Sequence, residues 1–287
     1  MNPYHQPDVT DDIVRIHPPT VSSTNPRSRA RPSLFASMMA VALVLTTGWS
    51  TALAEDQAMG SAGTTVGHPE RWAPEGDQER LTPENCAVLF IDHQAGLMNL
   101  VDNVEMDRYK ADVMAKAKTA KLHGLPVVLT TSAENGPNGP ILPEILEMFP
   151  EAPLISRSGQ INAWDDPNFR KAVEETGRKK VVVSGITTDV CVAFVTLSML
   201  EAGYDVYVVV DASGTTNPLV QQAALMRMTD AGAEMGNWFA FACEMLSDWR
   251  NAEGAGSATL FAEHMPGYAE AMASHAAFTE DKSGKVE

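Results

Sequence analysis

Four short runs of apolar, mostly β-branched residues punctuate the middle of the chain: Val88 to Ile91, Val127 to Leu129, Val181 to Val183 and Val206 to Val210. Each is continuous instead of alternating and is bounded by polar residues or glycine, the pattern of strands covered on both faces in a parallel sheet. Between and after them, the spacing predicts helices over Asp107 to His123, Pro167 to Thr176, Thr188 to Ala202 and Asn217 to Ala231, each followed by a glycine, a common helix stop. Lys116, Lys118 and Lys121 fall near the end of the first of these, where cations suit the helix dipole. Strand alternating with helix predicts one doubly wound, three-layer α/β/α domain over residues 83–278.

The flanks lack that pattern. Arg27, Arg29 and Arg31 precede an uncharged run from Pro32 to Ala54 with an apolar centre, Leu34 to Leu45, ending in Ala52-Leu53-Ala54. That order reads as a secretory signal peptide with an N-terminal extension over residues 1–54, cleaved near Ala54, which implies an exported, periplasmic protein without stable membrane association after cleavage. An uncleaved anchor is the other reading, although Ser37, Thr46, Thr47, Gly48 and Ser50 dilute the run. Residues 55–82 are rich in Gly, Pro, Ala and charge and read as a flexible linker. Residues 279–287 read as a disordered tail.

Composition narrows the classes. With 44% hydrophobic and 20% charged residues in 287, the chain is neither disordered nor collagenous. Its net charge is −16; the first 54 residues hold four basic and three acidic side chains, so the remainder stands at −17. Such a surface repels phosphate backbones, so nucleic acid is excluded as a partner. Cys86, Cys191 and Cys243 are too few and too widely spaced for a disulfide framework or a CxxC site.

In an open α/β sheet, ligands bind beyond the carboxyl ends of the strands, where the winding reverses. Two such ends carry chemistry. The first strand runs into Asp92, and the Val181 strand runs through Ser184-Gly185-Ile186-Thr187-Thr188-Asp189 to Val190-Cys191. With Thr188 as N-cap, Cys191 falls in the first turn of a helix, where unpaired NH groups favour a thiolate and can hold an oxyanion. Placement alone leaves Cys191 as either a nucleophile or a small buried apolar residue. It leaves Asp92 as either a structurally paired acid or a general base. With strand order 3-2-1-4-5 the two would face one crevice. His93 points to the other side and reads as structural, and Cys86 and Cys243 read as buried thiols. No GxGxxG, Walker, HExxH or GxSxG motif is present, so no nucleotide cofactor is implied.

At these residues the chain resembles the isochorismatase-like hydrolase superfamily, in particular its YcaC-related cysteine hydrolases. The resemblance covers nearly all of residues 80–278. It is carried by Ile91-Asp92-His93-Gln94-Ala95-Gly96-Leu97, Asn135-Gly136-Pro137-Asn138-Gly139-Pro140, Gly159-Gln160-Ile161-Asn162-Ala163-Trp164, Thr188-Asp189-Val190-Cys191-Val192-Ala193-Phe194 and Asp211-Ala212-Ser213-Gly214-Thr215. It implies a six-stranded, mostly parallel sheet and a triad at Asp92, Arg157 and Cys191, with arginine where the superfamily usually has lysine. It also implies a cis peptide between Ile186 and Thr187, an oxyanion hole from the NH groups of Thr187 and Cys191, a homo-oligomer, and no metal or other cofactor. Asn162 and Trp164, shortly after Arg157, read as pocket lining or an oligomer contact, with Trp164 equally readable as core.

The resulting expectation is a metal-independent cysteine hydrolase that cleaves a small amide or related C–N bond through a thioester. The alternative is an exported, non-catalytic small-molecule-binding or scaffold protein that keeps the hydrolase fold. A thiol redox protein is disfavoured because no resolving cysteine stands near Cys191 in sequence.

Overall fold

The computed structural model describes residues 80–283. The leader over residues 1–54, most of the linker and the last four residues lie outside that range. Six strands, β1 (Cys86–Ile91), β2 (Val127–Ser132), β3 (Leu154–Arg157), β4 (Lys180–Gly185), β5 (Asp205–Val209) and β6 (Glu234–Gly236), form one sheet in the order β3-β2-β1-β4-β5-β6. Every adjacent pair is parallel. β1 and β4, at the centre, are buried along their whole lengths, which explains their unbroken apolar sequences.

Successive side chains of β1 feed two separate cores. Cys86, Val88 and Phe90 pack with α1 (Met106–Leu122) and, later in the chain, Trp238–Leu246 and Gly254–His264. Leu89 and Ile91 pack with Pro167–Glu175, Ala193–Glu201 and Pro218–Asp230 on the opposite face. In chain order the helices after α1 are α2 (Pro143–Met148), α3 (Pro167–Glu175), α4 (Ala193–Glu201), α5 (Pro218–Asp230), α6 (Trp238–Leu246), α7 (Gly254–His264) and α8 (Pro266–Ser283). Asp166, Asn217 and Asn237 cap α3, α5 and α6 with their side chains.

Several expectations need correction. Leu81, inside the expected linker, is buried and its NH donates to Glu244, and α8 runs to Ser283, into the stretch read as a tail. Thr188 is not the N-cap. Thr187 occupies that place, Thr188–Val192 form a π-helical turn, and regular α-helix begins only at Ala193. The wide turn is held by the Val192 NH, which donates to the Thr187 carbonyl at 3.1 Å. Cys243 is exposed on α6 instead of buried, whereas Cys86 is buried and 3.9 Å from the Met245 sulfur; both are free thiols.

Candidate active site

The register of the central strands creates the site. Ile91 pairs with Gly185, so Asp92 and the Ile186–Thr187 turn leave the sheet side by side. A Cβ on Gly185 would lie 2.1 Å from the Ile91 carbonyl oxygen, so only glycine permits this approach. On the other side of β1, Ser132 pairs with Arg157 at the ends of β2 and β3, which brings the guanidinium to the same edge. The Ile186–Thr187 peptide is cis.

Asp92 is fully buried, with φ at 54°, and its NH still pairs with the Thr130 carbonyl at 3.0 Å. One carboxylate oxygen takes a charge-assisted hydrogen bond from Arg157 Nη2. The other has no nitrogen or hydroxyl donor, and the carboxylate faces the Cys191 thiol, each perturbing the other's proton affinity. Burial raises the Asp92 carboxyl above its usual range, and the Arg157 charge opposes that rise.

Arg157 is held from all sides. Its Nε donates to Thr130 Oγ1 at 2.9 Å, and its Nη1 donates to the carbonyls of Gln160 and, at 3.2 Å, Ile161. Being nearly inaccessible and committed to these acceptors, it acts as a fixed positive charge behind Asp92. Thr130, Gln160 and Ile161 lie in stretches that carry the family resemblance, but the sequence assigned them no role toward Arg157. Nothing local marks them, since their role is set by a partner on another strand.

Cys191 is only half-buried, so it is the member of the trio that meets solvent. The helix-start position, which by itself favours a thiolate, does not lower this thiol. Burial, then the neighbouring Asp92 carboxylate, push the thiol up to about 12, while the Thr187 backbone hydrogen bond and the Arg157 charge pull the other way too weakly. Next to Asp92, the Cys191 sulfur therefore holds its proton at rest.

The remaining candidates are placed as follows. His93 is buried, with Nε2 3.2 Å from the Ala212 carbonyl, and burial holds it neutral, at about 3. Asn162 accepts from the Trp164 NH and donates to Ser198 Oγ at 2.9 Å, tying the loop to α4 instead of reaching Asp92 or Cys191. Trp164 packs edge-on against Phe169 and Tyr204, with ring centroids 6.3 Å and 5.5 Å away, which is a core role. Among the described residues, no group of three His, Cys, Asp or Glu side chains is placed to hold a metal. Two surface cavities, about 550 Å³ beside Leu125 and Pro150 and about 370 Å³ beside Val210 and Leu225, include none of Asp92, Arg157 and Cys191.

Comparison with known proteins places this arrangement. The isochorismatase domain family matches residues 86–238. The probable hydrolase YcaC of Escherichia coli is 49% identical over 203 residues, which cover 71% of this chain and 97% of that protein. A structure of YcaC from Pseudomonas aeruginosa, with hexane-2,5-diol and covalent acrylamide, is similar at 52% identity and a TM-score of 0.68, over 70% of this chain and 98% of that one. The Escherichia coli YcaC crystal structure, described as an octameric hydrolase of unknown specificity, is similar with a TM-score of 0.69 over 71% of this chain and 99% of that one.

Proposed function

The chain belongs to the isochorismatase family of hydrolases, and from that premise we propose that it cleaves a small neutral or cationic amide, or a related C–N bond, with Cys191 as nucleophile. The observation that carries this reading is the partly buried Cys191 thiol facing a buried Asp92 carboxyl group backed by the fixed charge of Arg157.

As Cys191 Sγ bonds to the substrate carbonyl carbon, its proton passes to Asp92. The carbonyl π electrons move to oxygen, and the NH groups of Thr187 and Cys191 hold the oxyanion. Asp92 then gives its proton to the leaving nitrogen, the C–N bond breaks and the amine departs, leaving a thioester. Water loses a proton to Asp92 and adds to the thioester carbon. The C–S bond breaks, the sulfur recovers the proton, and the acid product leaves. The raised carboxyl of Asp92 suits a group that must hold a proton in mid-cycle. Arg157 stays charged throughout and steadies the carboxylate without carrying a proton.

Two facts support a neutral or cationic substrate. The chain after residue 54 carries −17, and the guanidinium of Arg157 is committed to internal acceptors, so it has little left to offer a substrate carboxylate. The covalent acrylamide in the Pseudomonas aeruginosa relative supports a reactive nucleophile in the family, and Cys191 is its counterpart in this reading. Incubation with a panel of small amides, followed by intact mass analysis, tests the proposal. An acyl adduct on Cys191, absent in Cys191→Ser, is expected; turnover retained in Cys191→Ser overturns it.

We extend assembly to this chain from the octameric Escherichia coli relative, with Trp249 and Arg250 as interface candidates. Light scattering at micromolar concentration should give a multiple of the protomer mass, and a monomer overturns it.

A further inference from the structure

On the α1 side of the sheet lies a buried polar cluster that the hydrolytic steps do not use. Lys116, on α1, is completely buried, and its Nζ donates to the Leu89 carbonyl at 2.9 Å and to Ser184 Oγ at 2.8 Å. The nitrogen also sits 4.4 Å from the centre of the Phe90 ring. Among the described residues, no carboxylate lies within ion-pair distance of it. Burial without a counter-charge drives its amine well below the ordinary lysine range. An apolar side chain of similar size would fill this place without carrying an amine into a dry interior, but it would lose both hydrogen bonds.

The cluster reaches both halves of the site. Leu89 stands three residues before Asp92 on β1, and Ser184 three residues before Thr187 on β4. Ser184 Oγ lies 3.5 Å from His93 Nε2, which contacts the Ala212 carbonyl at 3.2 Å; the Tyr109 hydroxyl approaches the same carbonyl at 3.5 Å. His93 Nδ1 has no partner, which assigns the ring proton to Nε2. The loop gripped by His93 also holds the nucleophile turn: the Thr188 NH donates to the Gly214 carbonyl at 2.9 Å, and the Gly214 NH donates to Gly185 at 3.1 Å.

We infer that Lys116 is a positioning residue for the thiol–carboxylate pair: through Leu89 and Ser184 it clamps the ends of β1 and β4 and so sets the spacing of Asp92 and Cys191. This rests on the reading of Cys191 as nucleophile and Asp92 as its base. Lys116 touches neither residue and acts through the strand ends. Met at position 116 would keep the volume and lose both hydrogen bonds, and Ala at position 184 would cut the same link from β4.

The test uses the full chain and iodoacetamide as probe, reading the rate of Cys191 alkylation from neutral to alkaline pH beside the thermal midpoint. Exposed Cys243 serves as internal reference. Lys116→Met is expected to melt no lower than wild type while Cys191 alkylation slows by roughly tenfold and its pH profile moves, because small misplacements of reacting groups are costly. Ser184→Ala is expected to slow it as well, and keeps the test open should Lys116→Met not fold. Rates within twofold of wild type and an unmoved profile in both variants overturn the inference, whatever happens to stability. Asp92→Asn separates the two levels: if it too alkylates like wild type, the nucleophile–base reading falls and the inference falls with it; if only Asp92→Asn is slow, Lys116 is structural and the reading stands.

Discussion

Asp92 and Arg157 stand 65 residues apart in the chain and form an ion pair in which both side chains are wholly buried. Such a pair is costly to half-remove, because the survivor keeps a charge in a dry environment. Arg157→Ala is therefore expected to lower stability by about 3–5 kcal/mol. Arg157 also draws down the proton affinity of both Asp92 and Cys191, so losing it should move Cys191 alkylation to higher pH. Arg157→Lys keeps the charge and should recover most of that shift. Thermal denaturation and alkylation rates measure both effects, and an unmoved profile in Arg157→Ala removes the residue from the site.

Asp92→Asn should produce pH profiles that cross. At neutral pH, Cys191 alkylation falls by about 10- to 100-fold because the base is gone. At alkaline pH the variant overtakes wild type, since the carboxylate that disfavours the thiolate has been removed. Profiles that never cross would mean that Asp92 does not act on Cys191 both as a base and as a charge.

Gly185→Ala places a methyl group where the Ile91 carbonyl oxygen already stands, at the centre of the sheet. Overpacking of this kind costs about 1–3 kcal/mol or more, and the strain falls on the residue before Asp92. A lower thermal midpoint with slower Cys191 alkylation is expected. Wild-type values for both would show that β1 and β4 can separate freely there.

His93 should dominate part of the acid limb of stability. Its value falls from 6.5 in the unfolded chain to about 3 in the fold, so the unfolded state takes up a proton that the folded state refuses. The stability from keeping His93 neutral is complete above 6.5 and is lost as pH falls toward about 3, by up to about 1.4 kcal/mol per pH unit. Urea denaturation of wild type and His93→Gln should show a flatter acid limb in the variant. Parallel limbs would place the proton uptake elsewhere.

We propose that the protein is exported with cleavage after Ala54, on the order of basic, apolar and small residues over residues 1–54. N-terminal sequencing of protein from the native host should begin at Glu55. A chain that retains Leu34 to Leu45 and sediments with membranes would reverse this.

The central strands were legible in sequence because β1, β2, β4 and β5 carry contiguous β-branched or apolar residues, and those report burial on two faces without reference to any other part of the chain. The same local logic placed Asp92 and Cys191 at strand ends, and the sheet order then brought them together. β3 and β6 escaped it. They are short edge strands with partly exposed residues, so their identity depends on pairing with β2 and β5. Lys116 shows the limit most clearly. Its sequence position beside Lys118 and Lys121 reads as one of three cations suited to the helix dipole, yet α1 turns it into the sheet while Lys118 reaches Glu263 at the surface. The thiol of Cys191 likewise reads as acidified from its helix-start position, but the carboxylate that opposes this stands at the end of β1, and the burial comes from a core assembled from several elements. Periodicity and capping sum interactions over a few residues, whereas burial and charge sum over every element packed nearby. Proton affinities and the commitments of Arg157 and Lys116 are therefore decided only by the tertiary structure.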